Sequence, residues 1–357
     1  MIDWSVAAST GAYLVRGGPA VPYAEAERAV SELRRFTVDA EQHVRDLTHL
    51  GHDLPLRQAE VVDRPGWVRS AAGGLEALTG RALSELSHTT DGDPSGSGAR
   101  RRGSRNPLAP LVAGSAGVQT GVVLAFLGAR VLGQYDPFGG SDARGRLVLV
   151  APNIVTAQQA MRVSGRDFRM WVCLHESTHR LQFTAVDWLR DHFAAEVARL
   201  LGGFAESDGL TTVLARLPEN LREARRASAD GAPGLAELVQ TPGQREVFDR
   251  LLALSTLLEG HADYVMDAVG PSVVPGVATI RRRFTERRRG GSLLDRLLRS
   301  LLGLDAKVRQ YALGAEFTRQ VVDTVGMDGF NAVWTSPETL PSRAEIKDPR
   351  AWIRRVH

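Results

Sequence analysis

Apolar residues recur every three or four positions over most of this chain, the period of a helix with one buried face. Between Tyr23 and Leu50, Ala26, Val30, Leu33, Val38, Val44 and Leu47 follow that period, and Arg64-Pro-Gly-Trp67 then reads as a turn. Leu108–Leu132 differs in kind, with no charged residue before Arg130. Its length suits a membrane span. Gly114, Gly117, Gly121, Gly128, Ser115, Gln119 and Thr120 lower its apolarity, however, and suit close packing, so a buried helix rich in small residues is expected. Arg146–Pro152 (RLVLVAP) is short, β-branched and closed by proline, the one convincing strand. From Asn153 the pattern is helical almost to the end. Interruptions are expected at Ser164-Gly165, Gly202-Gly203, Ala232-Pro-Gly234, Pro242-Gly243, Gly270-Pro271 and Gly290-Gly291. No repeat of fixed period is present. The expected class is mainly α, with a small β element ahead of the helix that carries the chemistry.

Polarity changes abruptly once. Ser87–Pro107 holds a single apolar residue, Ala99, among glycines, serines, aspartates and arginines, too little to offset the entropy of ordering. The expected organisation is an N-terminal helical region over 1–86 packing on the core, a flexible insert over 87–107, and a core over 108–357. With 357 residues, 43% of them apolar, the chain can bury a sizeable core. The 44 basic and 41 acidic side chains leave a formal charge of +3, close to neutral for this length. Only Lys307 and Lys347 are lysines, a skew that points to GC-rich codons rather than a phosphate-binding surface. The densest basic run, Arg281–Arg289, ends a helical segment, where the macrodipole favours cations, so nucleic acid is not expected as a partner. Ser292–Leu304 spaces its leucines as an amphipathic helix, a core or dimer face rather than a membrane anchor. Met1-Ile-Asp-Trp4 has neither the basic start nor the apolar run of a secretory signal, so a cytoplasmic location is expected. The single cysteine, Cys173, excludes a disulfide framework and any cysteine-rich zinc module. A metal would therefore rest on histidines and carboxylates.

Those residues come together in Asp167–Phe183, DFRMWVCLHESTHRLQF. His175-Glu176-Ser177-Thr178-His179 places two imidazoles four residues apart, one turn above each other on one helix face, where both can bind one zinc ion. Glu176 lies about 100° round the helix from His175, beside the open coordination position, where a carboxylate can take a proton from activated water. With nine histidines and nineteen glutamates, roughly 0.01 such patterns are expected by chance in a chain of this composition. The context is helical as well. Trp171, Leu174, Thr178 and Gln182 continue the face, Asp167 is placed to cap the start, and Trp171–Leu174 is apolar enough to be buried. Cys173 points to another face and is expected to be a small buried hydrophobe.

A catalytic zinc site takes three protein ligands. The short Gly-x-x-His continuation is absent, because Gln182 and Ala185 occupy those places. His192, thirteen residues past His179, lies in an amphipathic stretch and is expected at the surface or half-buried. Glu259 is the better candidate, in Leu257-Leu-Glu-Gly-His-Ala-Asp-Tyr-Val-Met-Asp267, with His261 as its rival. Asp263, one turn beyond Glu259, could accept the distal N–H of a ligand histidine. His261, Tyr264 and Tyr311 are candidate transition-state donors.

The Glu259–Asp263 spacing resembles that of the gluzincins, the thermolysin-like branch of the H-E-x-x-H metallopeptidases. More specifically, H-E-S-T-H, L-E-G-H-A-D-Y-V-M-D, the upstream G-Q-Y-D-P-F (Gly133–Phe138) and the C-terminal L-P-S-R-A-E-I-K-D-P-R-A-W-I-R-R-V together resemble the zincin-like metallopeptidase type 2 family. The most similar branch is that of hydrolases associated with deazaflavin-coenzyme biosynthesis. The resemblance implies a mostly helical zincin-like fold and a zinc site that includes His175, Glu176, His179 and Glu259. It implies a zinc-dependent hydrolase acting on a peptide or other amide carbonyl, with Glu176 as general base. The alternative is a non-catalytic zincin-like protein whose structural zinc supports binding to a partner in deazaflavin-coenzyme metabolism. Thermolysin-like enzymes hold a peptide against a sheet edge, and Leu147–Val150 is the strand expected in that part.

Overall fold

The computed structural model describes residues 2–90, 109–140, 144–205, 242–289 and 304–357. Three small cores organise them. Around the first lie α1 (Trp4–Leu14), α3 (Arg64–Thr90) and α4 (Ala109–Gly128). Helix α1 starts at Asp3, whose carboxylate accepts from the Val6 N–H at 3.0 Å. It crosses α4 where both are glycine: a Cβ on Gly11 would fall 2.8 Å from the Gly121 carbonyl oxygen, and one on Gly121 the same distance from that of Ala7. The small-residue segment thus packs helix against helix, while Val118 and Val122 on another face are exposed. No helix among the described residues is long and apolar enough to cross a membrane. Arg64–Trp67 is the first turn of α3 rather than a free turn. Pro65 lacks an N–H that the first turn would leave unused, and Asp63 Oδ1 accepts from the Gly66 N–H. The same helix runs through Ser87–Thr90; the rest of the expected insert, 91–107, lies outside the described residues.

The second core holds the chemistry. Helix α2 (Tyr23–Thr48) turns Leu33, Phe36, Ala40 and Val44 inward at helical spacing and ends where His49 adopts a left-handed conformation (φ 59°). Next comes a sheet of β1 (Glu60–Val62), β2 (Gly133–Asp136) and β3 (Arg146–Val150), in the order β1-β3-β2. Only β3 was expected. It is the central strand, paired parallel with β1 (Val61 opposite Leu149) and antiparallel with β2 (Tyr135 opposite Leu147). With both edges occupied it cannot accept an added strand, which corrects the expectation for Leu147–Val150. The outer edges belong to β1 and β2.

Beneath the sheet run α5 (Ala151–Met161) and α6 (Gly165–Thr184), the latter with Phe168, Trp171, Cys173, Leu174 and Leu181 wholly or nearly buried. Its cap is Ser164, whose Oγ accepts from the Asp167 N–H. Asp167 instead turns its carboxylate outward to accept from Gly276 N–H at 2.8 Å. Helix α7 (Leu189–Ala205) passes unbroken through Gly202-Gly203. In the third core, α7 meets α8 (Pro242–Ala268), α10 (Leu304–Phe330) and the C-terminal turns around Trp334 and Trp352. Helix α9 (Val277–Arg289) lies across α5 and α6. Its arginines are partly structural. Arg281 pairs with Asp263 and Asp267 and lies over the Trp171 ring, and Arg283 donates to the carbonyls of Met161 and Arg162. Residues 292–303 lie outside the described residues.

Candidate metal centre

Helices α6 and α8 pack side by side, and the three ligand atoms come from their contact. His175 and His179 stand one turn apart on α6, with Nε2 atoms 3.2 Å apart. Glu259 on α8 brings Oε2 to 3.5 Å from the first and 3.8 Å from the second. Zinc bonds of about 2.0–2.1 Å at a tetrahedral angle require ligand atoms about 3.3 Å apart. The three atoms therefore fit one tetrahedral ion with little movement. The side chains are 15–22% exposed, so the triad faces solvent on one side.

Each imidazole is turned by a second contact. His179 Nδ1 lies 2.9 Å from Gln182 Oε1, an acceptor only, so Nδ1 carries the proton and Nε2 keeps its lone pair for a metal. Gln182 is fully buried. Its amide N–H groups reach the Leu258 carbonyl at 3.0 Å and His261 Nδ1 at 3.1 Å, so one side chain ties α6 to the segment of α8 that carries Glu259. His175 Nδ1 meets the Met266 sulfur at 3.2 Å, a weak acceptor that favours the same tautomer.

Glu176 is 6% exposed and lies under the start of β2. A Cβ on Gly133 would fall 2.7 Å from the Glu176 Cδ and 2.8 Å from Oε1, so any larger residue here would push the carboxyl group aside. Burial pushes the Glu176 carboxyl up to about 7, with His175 opposing the shift and the Glu259 charge adding to it. For His175, burial acts to lower the pKa, but the Glu259 hydrogen bond and the charges of Glu176, Glu259 and Asp263 outweigh it and leave it raised. The site thus holds a carboxyl group poised near neutrality beside three convergent ligand atoms.

Other expected residues are placed differently. Asp263 does not take up a ligand histidine; its Oδ1 lies 3.1 Å from Arg281, because α9 brings that guanidinium over the end of α8. His261 is neither ligand nor donor to the open side. It is wholly buried between Phe330 and Trp334, with ring centroids 5.0 and 5.6 Å away, and burial, aided by the charge of His179, pushes its pKa down to about 3. It serves as the neutral acceptor for Gln182. The phenol of Tyr264 is half-buried and raised in pKa, by burial first and then by Asp323 on α10. The side chain of Tyr311 lies outside the described residues. His192 is half-buried against Trp188, and Cys173 is buried beneath α2 with its thiol pushed well up by burial.

Gln182, Met266 and Gly133 are the residues that sequence reasoning did not assign. Gln182 carried a local signal, since it lies three residues past His179 on the same helix face. Met266 and Gly133 fall within the segments that carry the family resemblance, but nothing local assigned them a role, because their contacts join segments far apart in the chain.

A family model described as zincin-like metallopeptidase matches residues 2–353. A solved structure from Chloroflexus aurantiacus, described as a candidate hydrolase with a novel fold, is similar at 29% identity and a TM-score of 0.65, over 99% of this chain and 98% of that one. No curated protein matches the sequence. The family match spans both helices of the His175–His179–Glu259 cluster and the strand that covers Glu176, and the chain belongs to the zincin-like metallopeptidase family.

Proposed function

We propose that this chain is a zinc-dependent hydrolase that cleaves a peptide or other amide bond, with His175, His179 and Glu259 as the metal ligands. The observation that carries the reading is the partial exposure of all three ligand side chains beside a buried carboxyl group, an open arrangement rather than a closed structural one. Zinc bound there would polarise a carbonyl oxygen and lower the pKa of water at its open position. Glu176 takes a proton from the attacking water and returns it to the leaving nitrogen, a role that suits a pKa near 7. The outer edge of β2, which begins over Glu176, offers backbone groups to an extended substrate. The similar Chloroflexus protein, described as a candidate hydrolase, supports the same class of reaction.

The test combines metal content with peptide hydrolysis. Glu176→Gln is expected to keep one zinc per chain and to lose roughly 10²–10⁴-fold in turnover of a quenched-fluorescence peptide library. His175→Ala is expected to lose the metal. Stoichiometric zinc that survives His175→Ala removes the ligand assignment, and undiminished turnover in Glu176→Gln removes the proposed base. A hydroxamate that binds the loaded protein supports an open position; a loaded protein indifferent to hydroxamates favours structural zinc.

A further inference from the structure

Helices α1 and α4 carry no charged residue over their 11 and 20 positions. At the chain's average of 24% charged residues, roughly seven would be expected there. A helix without charge is ordinary inside a core. Among its described side chains, however, α4 is buried along one stripe only, Gly117, Gly121, Leu124, Ala125 and Gly128, where it meets α1 and α3. Its other side turns Ser115, Val118 and Val122 to solvent, the two valines 45% and 50% exposed, with Phe126 half-buried one turn on. Beside it, α1 exposes Ser5, Ser9 and Tyr13 at four-residue intervals on one face, and Tyr13 is 88% exposed. The two helices cross through Gly11 and Gly121 with no side chain between them, so these outer sides adjoin. Charge returns only at the margins. Asp3 and Arg16 flank α1, and Arg130 follows α4 with its guanidinium 3.7 Å from the centre of the Phe126 ring.

Surfaces that stay in water are interspersed with charge, whereas the centres of interfaces are depleted of it, enriched in tyrosine and rimmed by polar groups. The lack of charge also says which partner fits. In a two-fold contact each side chain near the axis meets its own copy, so a charge there would face its like, and a neutral face is complementary to itself. A strongly acidic or basic partner would find no counter-charge here. A lipid surface calls for bulky apolar anchors among lysines and arginines, not for serines one turn apart. The size agrees. Helix α4 spans about 30 Å and the face with α1 is about 20 Å wide, so a pairing covers roughly 600 Å² per chain, or 1,200 Å² in all, the lower end for stable specific interfaces.

We propose that α1 and α4 form the contact surface of a homodimer, with α4 packed against α4 of a second copy about a two-fold axis near Val122. The metal ligands come from α6 and α8, so this contact stands or falls separately from the metal and from hydrolysis.

Sedimentation equilibrium of the full chain at micromolar concentrations tests it. The wild type is expected to show the mass of two chains. Val118→Lys/Val122→Lys alters two exposed positions where lysine suits a helix at least as well as valine, so the circular dichroism spectrum is expected to be unchanged. Its dissociation constant is expected to rise roughly tenfold or more, because the axis brings like charges together. Val118→Glu/Val122→Glu is expected to be weakened in the same way alone and to form a mixed dimer with the lysine variant, a result that damage to the fold cannot produce. A wild type that stays monomeric overturns the proposal, whether another segment of the chain covers the face or the chain sediments with vesicles of phosphatidylcholine and phosphatidylglycerol. A dimer that survives both pairs of substitutions overturns it as well.

Discussion

Replacing Gln182 by leucine tests how the metal site is held in shape. The side chain is fully buried and makes three hydrogen bonds: to His179 Nδ1 at 2.9 Å, the Leu258 carbonyl at 3.0 Å and His261 Nδ1 at 3.1 Å. Leucine fills similar space and removes all three. A buried polar group deprived of its partner costs about 1–3 kcal/mol, so the loss of folding stability is expected to be roughly 3 kcal/mol or more. The metal reads a different part of the damage. Without Oε1 to accept its Nδ1 proton, His179 no longer has its tautomer and ring orientation fixed, and such outer partners are worth about 10–100-fold in affinity, or roughly 1.4–2.8 kcal/mol. Zinc affinity, measured by competition with a chelating dye at a temperature where circular dichroism shows a folded variant, is expected to fall by that factor. Gln182→Glu separates the two effects. It keeps an acceptor for His179 but loses the donors to Leu258 and His261, so it is expected to lose stability while holding zinc within a few-fold of wild type. A folded leucine variant that binds zinc within about twofold of wild type would refute the coupling.

Three further outcomes follow from the packing. In Gly133→Ala the new methyl would lie 2.7 Å from the Glu176 Cδ, so the carboxyl group must shift; peptide turnover is expected to fall about 100-fold while metal content is unchanged. Gly260→Ala would place a methyl 2.1 Å from the backbone carbon of Gly314, where α8 crosses α10 and neither backbone can yield; a loss of roughly 3 kcal/mol and a lower melting temperature are expected, and an unchanged melting curve would contradict the crossing. His261, with its pKa pushed down to about 3 from an ordinary 6.5, favours folding only while neutral, so its contribution is complete above about pH 6.5 and fades as pH falls toward 3. Between pH 7 and 4.5 the metal-free protein should lose roughly 3 kcal/mol through this group, a loss that His261→Gln removes in urea titrations.

How far the site was legible follows from how local each contact is. His175, Glu176 and His179 sit within five residues of one helix, and helical geometry alone puts the imidazoles together. Glu259 was legible in kind, because an acidic residue beside Leu257 and Leu258 is expensive to bury without a partner. Asp263 has the spacing expected of a residue that orients a histidine, yet spacing along α8 could not show that Arg281, on α9, would claim it. The same limit explains the sheet. β1 and β2 are three and four residues long, too short to display alternation, and exist because β3 offers both its edges to them. It also explains the turn expected at Arg64–Trp67: proline and glycine signal a break in the chain and equally the first turn of a helix, and Asp63 decides between them by accepting from the Gly66 N–H.

The groups that hold the site differ in this respect from the groups that form it. A metal's ligands must carry particular donor atoms, so their chemistry marks them in a sequence even without a structure. Their supports need only offer an acceptor or vacant space at one point, which glutamine, methionine and glycine do here with no mark of their own. Such supports are also what make an open site cohere. Gln182 and Gly133 each join α6 to a segment distant in the chain, one to α8 and the other to β2. A helix carrying H-E-x-x-H without those two joints would still present two histidines. It would lack the fixed distance to Glu259 and the burial that brings Glu176 near neutrality, the two features that the proposed hydrolysis would need beyond zinc binding.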